Sequence, residues 1–266
     1  MSNAHSPHVD YTRYFVVKQK VFLINISEGR HREQFESLSG SIVSCKGASI
    51  AVQIPYATGQ EGQETGTRQT TYKLASEYMG GGIQIMADLV RVTADNVFHL
   101  KLHGRMEMYQ RRATPRVDAT IKAYQIRRDT SLAIYRKEFR RIMDGMQSKG
   151  IRPNLTLQEA LINLSAGGMR IAIEAVEPVS PLAMFFLDLA ADQPLICAVA
   201  ELTWKRREED KLVCGYRFMQ INKADQERII RYVQSTQKEL GITASAARTY
   251  WELLDRMTDM EPEKQS

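Results

Sequence analysis

Asn163-Leu164-Ser165-Ala166-Gly167-Gly168 runs directly into Met169-Arg170-Ile171-Ala172-Ile173, a tight polar turn followed by a strand. Apolar side chains at 169, 171 and 173 alternate with 170 and 172, the period-two pattern of a strand with one face on a core. The paired glycines permit positive φ and a close approach of the backbone to a ligand. Downstream the pattern recurs: 196–204 and 212–219 read as a hairpin around the charged turn 205–211. Residues 226–240 then carry Ile229, Ile230, Val233 and Leu240 at helical spacing. Short antiparallel strands closed by a helix describe a small barrel.

Upstream of the turn lies Arg111-Arg112-Ala113-Thr114-Pro115-Arg116. A guanidinium is planar, permanently charged and forked, so it fits a phosphate or the O6/N7 edge of guanine and can stack on a base. Pro115 fixes one φ angle among the three arginines and stiffens the arm. The turn supplies the complement. Asn163 can donate and accept with one amide, Ser165 adds a hydroxyl, and Gly167 and Gly168 leave room for a ligand.

Together the arginine arm and the Asn-x-Ser-x-x-Gly turn resemble the signature of PilZ domains, receptors for cyclic di-GMP. The resemblance implies a ligand site made of Arg111, Arg112, Arg116, Asn163, Ser165, Gly167 and Gly168, with cyclic di-GMP as ligand and no further cofactor. Either half alone is unspecific: Arg136-Lys137-Glu138-Phe139-Arg140 also reads Arg-x-x-x-Arg, yet lies in a helix-like stretch with no partner turn.

One departure stands out. Forty-six residues separate Arg116 from Asn163, more than the strand and turn of the family pattern. The stretch 119–126 fits that strand. The surplus places Leu132, Tyr135, Phe139, Ile142, Met143 and Met146 on one helical face, so a helix over 130–149 is predicted. Its apolar face either packs on its own barrel or serves a partner protein or acidic membrane.

The first hundred residues contain strand-like runs at 15–24, 39–44, 48–54, 69–75, 82–92 and 97–102, separated by glycine-bearing turns. A second small barrel placed before the arm resembles the N-terminal module of flagellar-brake (YcgR-type) proteins. The expected fold is mainly β, two small antiparallel β-barrels with an inserted helix and C-terminal helices. The expected organisation is a polar tail (1–13), an N-terminal β domain (14–103), a linker with the arm (104–118), the PilZ domain (119–240) and a C-terminal helix and tail (241–266).

Composition bounds the function further. Hydrophobic residues at 43% and charged residues at 25% of 266 describe an ordinary globular protein. Of the net charge of +5, a local excess of +8 lies between 104 and 152, where thirteen basic side chains meet five acidic ones. Such a field attracts a dianion or a nucleic acid. No signal pattern opens the chain, and the most apolar region, 181–202, is cut by Asp188, Asp192 and Pro194, short of the ~18 apolar residues of a membrane span. A cytoplasmic protein is expected. Cys45, Cys197 and Cys214 lack metal or disulfide spacing and read as buried free thiols. Scattered histidines and the absence of a nucleophile elbow or phosphate loop argue against an enzyme.

The leading expectation is a cyclic di-GMP effector that reorients its two domains and passes the signal to a downstream protein in motility or surface attachment. The alternatives are a basic small-barrel nucleic-acid-binding protein and a PilZ scaffold that no longer binds. Tyr250, Trp251, Leu254 and Met257 at helical spacing leave self-packing and a homodimer contact both open.

Overall fold

The computed structural model describes residues 11–26, 34–60, 70–78, 81–110, 115–149, 153–174 and 179–242. Six strands form the first barrel: β1 (Lys20–Asn25), β2 (Gln34–Lys46), β3 (Ser49–Gln53), β4 (Thr71–Tyr78), β5 (Gly81–Val92) and β6 (Val97–Gln110). They pair antiparallel in the order β1-β4-β5-β6-β3-β2, and β2 returns to β1 to close the ring. The second barrel comprises β7 (Val117–Ile126), β8 (Gln158–Ser165), β9 (Gly168–Glu174), β10 (Leu182–Asp188), β11 (Ile196–Glu208) and β12 (Lys211–Asn222). Its ring runs β12-β11-β10-β7-β8-β9 and closes through β9–β12. Helix α1 (Leu132–Lys149) is inserted between β7 and β8, and α2 (Lys223–Glu239) follows β12. The mainly β, two-barrel expectation therefore holds, and closure removes the edges at which chains aggregate.

Two boundaries differ from the sequence reading, each for a backbone reason. The apolar run 15–24 is strand only from Lys20, because Lys18 takes φ +70° and its N–H bonds to the Ile42 carbonyl at 2.8 Å, turning the chain into the sheet. Phe15 is buried all the same, 1% exposed in the barrel core. Gly104, expected to open the linker, is a bulge inside β6: at φ +78° it shifts the register between Met86↔His103 and Gln84↔Glu107. Strand pairing then continues to Gln110. Only six residues lie between the paired strands.

The unbroken apolar run Leu182–Asp188 is explained by a strand covered on both faces. Ala183, Phe185 and Leu187 point into the second barrel with Phe218, Ile229 and Val233. Leu182, Met184 and Phe186 face outward onto Leu132, Tyr135, Phe139 and Met143 of α1. That outer layer is continuous with the core of the first barrel, including Ile54 and Tyr56. The apolar face of α1 is thus spent within the chain, against both its own barrel and the neighbouring one. Tyr135 secures it, its hydroxyl accepting from the Arg128 N–H at 2.9 Å.

The barrels are joined by more than apolar contact. Residues 34–36 of β2 pair antiparallel with 220–222 of β12, so one ladder crosses from barrel to barrel. The Leu132 N–H donates to the Ala57 carbonyl at 3.0 Å, Arg136 forms an ion pair with Glu36 and donates to the Thr58 carbonyl at 3.3 Å, and Ser39 Oγ donates to buried Glu201. Among the described residues no helix is long and apolar enough to cross a membrane.

Candidate functional site

A cavity of about 570 Å³ opens between the barrels. Five of the expected site residues line it: Arg116, Asn163, Ser165, Gly167 and Gly168. Arg111 and Arg112 lie outside the described residues. The first barrel contributes Lys20, Phe22 and Glu77 to the walls, and the second adds Arg170, Trp204 and Arg217. Four cationic side chains therefore face one carboxylate among these lining residues, a setting that favours an anion.

The two halves of the motif are brought together by strand pairing. Val117↔Leu164 and Asp118↔Asn163 are cross-strand partners, so Arg116 emerges beside the 163–168 turn. Helix α2 then holds both. Gln226 Nε2 donates to the Ala166 carbonyl at 3.0 Å, and Gln237 Nε2 donates to the Arg116 carbonyl at 3.0 Å. The helix starts where Asn222 caps it, its side chain accepting from the Ala224 N–H at 2.9 Å. Capping, helix and site are one mechanical unit.

Within the turn the residues divide their roles. Ser165 is 4% exposed and its hydroxyl donates to the Gly168 carbonyl at 3.1 Å, which closes the hairpin. Gly168 has φ +156°, and a Cβ there would stand 2.2 Å from the Tyr216 carbonyl oxygen and 3.0 Å from Arg217 Cα. The close approach that demands glycine is thus to β12. Gly167 meets nothing within 4 Å of a Cβ and is exposed, while its carbonyl accepts from the Phe218 N–H at 2.9 Å. Asn163 Nδ2 and Arg170 Nη2 both donate to Asp118 Oδ1, each at 3.0 Å. Asp118 takes one N–H of the Asn163 amide, whose second N–H and carbonyl are further hydrogen-bonding groups of that side chain.

Three lining residues escape a reading by motif. Trp204 is 46% exposed and lies over Gly215 of the paired strand, where a Cβ would come within 2.2 Å of its Nε1. The missing side chain at 215 is what lets the indole lie flat there, a pairing visible only once the hairpin register is known. Arg217 is the cross-strand partner of Gly168; its Cζ sits 3.8 Å from the Phe22 ring centroid and its Nη2 donates to Ser37 Oγ at 2.5 Å. Phe22 itself, far away in sequence, carries no local signal. Behind the wall, burial pushes the Tyr216 phenol far up, so it stays neutral, its ring packed edgewise on Phe185 at 4.8 Å between centroids.

No curated protein matches the chain. Among solved structures it is similar to the Bacillus subtilis inhibitor of motility MotI/DgrA, at 14% identity over 85% of this chain and 99% of that one, TM-score 0.34. It is similar to Escherichia coli YcgR in complex with c-di-GMP, at 11% identity over 89% and 88%, TM-score 0.32. A K. pneumonia MrkH–c-di-GMP complex is similar at 15% identity over 84% and 89%, TM-score 0.31. Residues 110–235, the span that holds Arg116, the 163–168 turn and every strand of the second barrel, match the family model described as PilZ domain.

Proposed function

We propose that the chain is a cytoplasmic cyclic di-GMP receptor. The observation that carries this reading is the convergence of Arg116 and the 163–168 turn, forty-six residues apart in sequence, on one cationic cavity. Each group there has a use for such a ligand. Arg116 and Arg170 supply forked cationic donors for phosphate or for O6 and N7 of guanine. The Asn163 carbonyl suits the N–H donors of a guanine base, and the exposed Trp204 ring offers a stacking face. Arg111 and Arg112, five and four residues upstream of Arg116, would extend the cationic grip along the arm.

The output follows from the placement of the site. Ligand held by the arm and the turn ties 111–116 onto the second barrel while touching walls from both barrels. Any difference in ligand affinity between barrel arrangements shifts their equilibrium, and that reorientation is the signal handed to a downstream protein in motility or attachment.

Calorimetric titration with cyclic di-GMP tests the reading, with Arg112→Ala, Arg116→Ala and Asn163→Ala as controls. Each variant should weaken binding by roughly 1–3 kcal/mol, the loss of a charged or bidentate contact. Absence of binding heat with the unaltered chain overturns the assignment. Salt-sensitive retention of RNA or DNA in a filter assay, in place of that heat, would favour the nucleic-acid alternative.

A further inference from the structure

A second cavity, of about 720 Å³, opens at the mouth of the second barrel remote from the 163–168 turn. Strand β8 runs from Gln158 at this cavity to Ser165 at the turn, roughly 23 Å at ~3.3 Å per residue. Ala123, Ile171, Ile173 and Phe185, all core residues of the barrel, form its apolar wall. The polar groups come from the end of β7. Alternation puts Gln125 on the same inward face as Ala123, and Arg127, just past the strand, continues that series. The position of Arg127 over the interior is felt by two core groups: burial raises the Cys214 thiol and the Tyr216 phenol, and the Arg127 charge opposes burial in both.

Both polar groups have unused capacity. Gln125 Oε1 is buried without a hydrogen-bond partner among the described residues, a costly state that a donor on a ligand would relieve. Arg127 has no carboxylate partner among the described residues. The acids on the rim do not supply one: Glu159 lies opposite Lys122 and Glu174 opposite Lys211 in the strand ladders, and both point outward. Arg127 is therefore the unbalanced charge of the mouth. Barrel mouths are common places for small-molecule sites, and the volume falls within the usual ~300–1,000 Å³.

We propose that this mouth is a second ligand site, taking a small amphipathic carboxylate: an apolar ring or chain against Phe185 and Ile173, its acid on Arg127, and an O–H or N–H donated to Gln125. The guanidinium fork matches a carboxylate, and the apolar wall favours the body of the molecule over water. The site stands apart from the cavity that holds the motif and does not depend on the cyclic di-GMP reading.

The test is fluorescence titration of the full-length chain with anilinonaphthalene sulfonate, which joins an apolar ring system, an N–H and a fixed negative charge, with thermal unfolding of each variant as the check on folding. The unaltered chain should bind the dye saturably, and decanoate should displace it about tenfold more effectively than uncharged decanol. Arg127→Ala should weaken the dye about tenfold or more, and Arg127→Lys, which keeps the charge but loses the fork, should fall between. Ala160→Phe, which sets a ring into the mouth from a half-buried position, should abolish binding. Cyclic di-GMP should not displace the dye. Displacement by cyclic di-GMP, or unchanged binding in both Arg127→Ala and Ala160→Phe, would put the dye elsewhere and overturns the proposal. Equal displacement by decanoate and decanol overturns the assignment of an anionic ligand. Absence of saturable binding by the unaltered chain overturns the site altogether, and leaves the outcome of the cyclic di-GMP titration untouched.

Discussion

A single methyl group separates the roles of the two adjacent glycines. Gly168→Ala would drive Cβ into the Tyr216 carbonyl, 2.2 Å away, at a φ of +156° that suits glycine, and should cost roughly 1–3 kcal/mol in denaturant unfolding. Gly167→Ala meets open space and should change stability by less than about 0.5 kcal/mol. Equal effects would contradict the division. Both positions were readable as a turn, but the partner of Gly168 was not, because β12 follows it by more than forty residues and only the barrel's closure brings the two together. The thiols divide in the same way. Burial pushes the Cys197 thiol far up, and desolvation also raises Cys214. Alkylation of the folded protein, read by peptide mass spectrometry, should therefore label half-buried Cys45 first and reach Cys197 and Cys214 only on unfolding.

Among the elements, α2 carries the most information about the site, since its two glutamines hold both halves of the motif. Asn222→Ala removes its cap and should cost about 1 kcal/mol, with the loss seen in thermal unfolding and a parallel weakening of ligand binding. Unchanged affinity alongside reduced stability would detach the helix from the site. The helical spacing of Ile229 and Val233 made α2 legible, whereas Gln226 and Gln237 look in sequence like any solvated glutamines. Helix α1 shows the complementary limit. Its stripe of Leu132, Tyr135, Phe139 and Met143 was legible as an apolar face, but periodicity says nothing about what covers it. The answer depended on the outward residues of β10, and a strand buried on both faces shows no alternation from which to read them.

At the scale of the whole molecule, the ladder between β2 and β12 and the shared apolar layer make the two barrels interdependent. Calorimetric unfolding should show one cooperative transition, and two resolved transitions would contradict a joint core. Arg136→Ala breaks the ion pair with Glu36 and the bond to Thr58, leaving a largely buried carboxylate, and should lower the midpoint of that single transition. The two-barrel architecture was legible from strand runs and turns, and the motif named five residues that line one cavity. The contact between barrels was not, because Glu36, Ser37 and Ser39 carry no pattern that marks them as partners of Arg136, Arg217 and Glu201. The family match begins at residue 110, yet the outer layer of β10 and α1 depends on residues well before that point. A fragment cut at 110 would leave Leu182, Met184, Phe186 and Phe139 without part of their cover, an apolar patch of the kind that makes a soluble protein self-associate. The recognisable domain and the smallest piece of this chain that can be handled in solution are therefore not the same object.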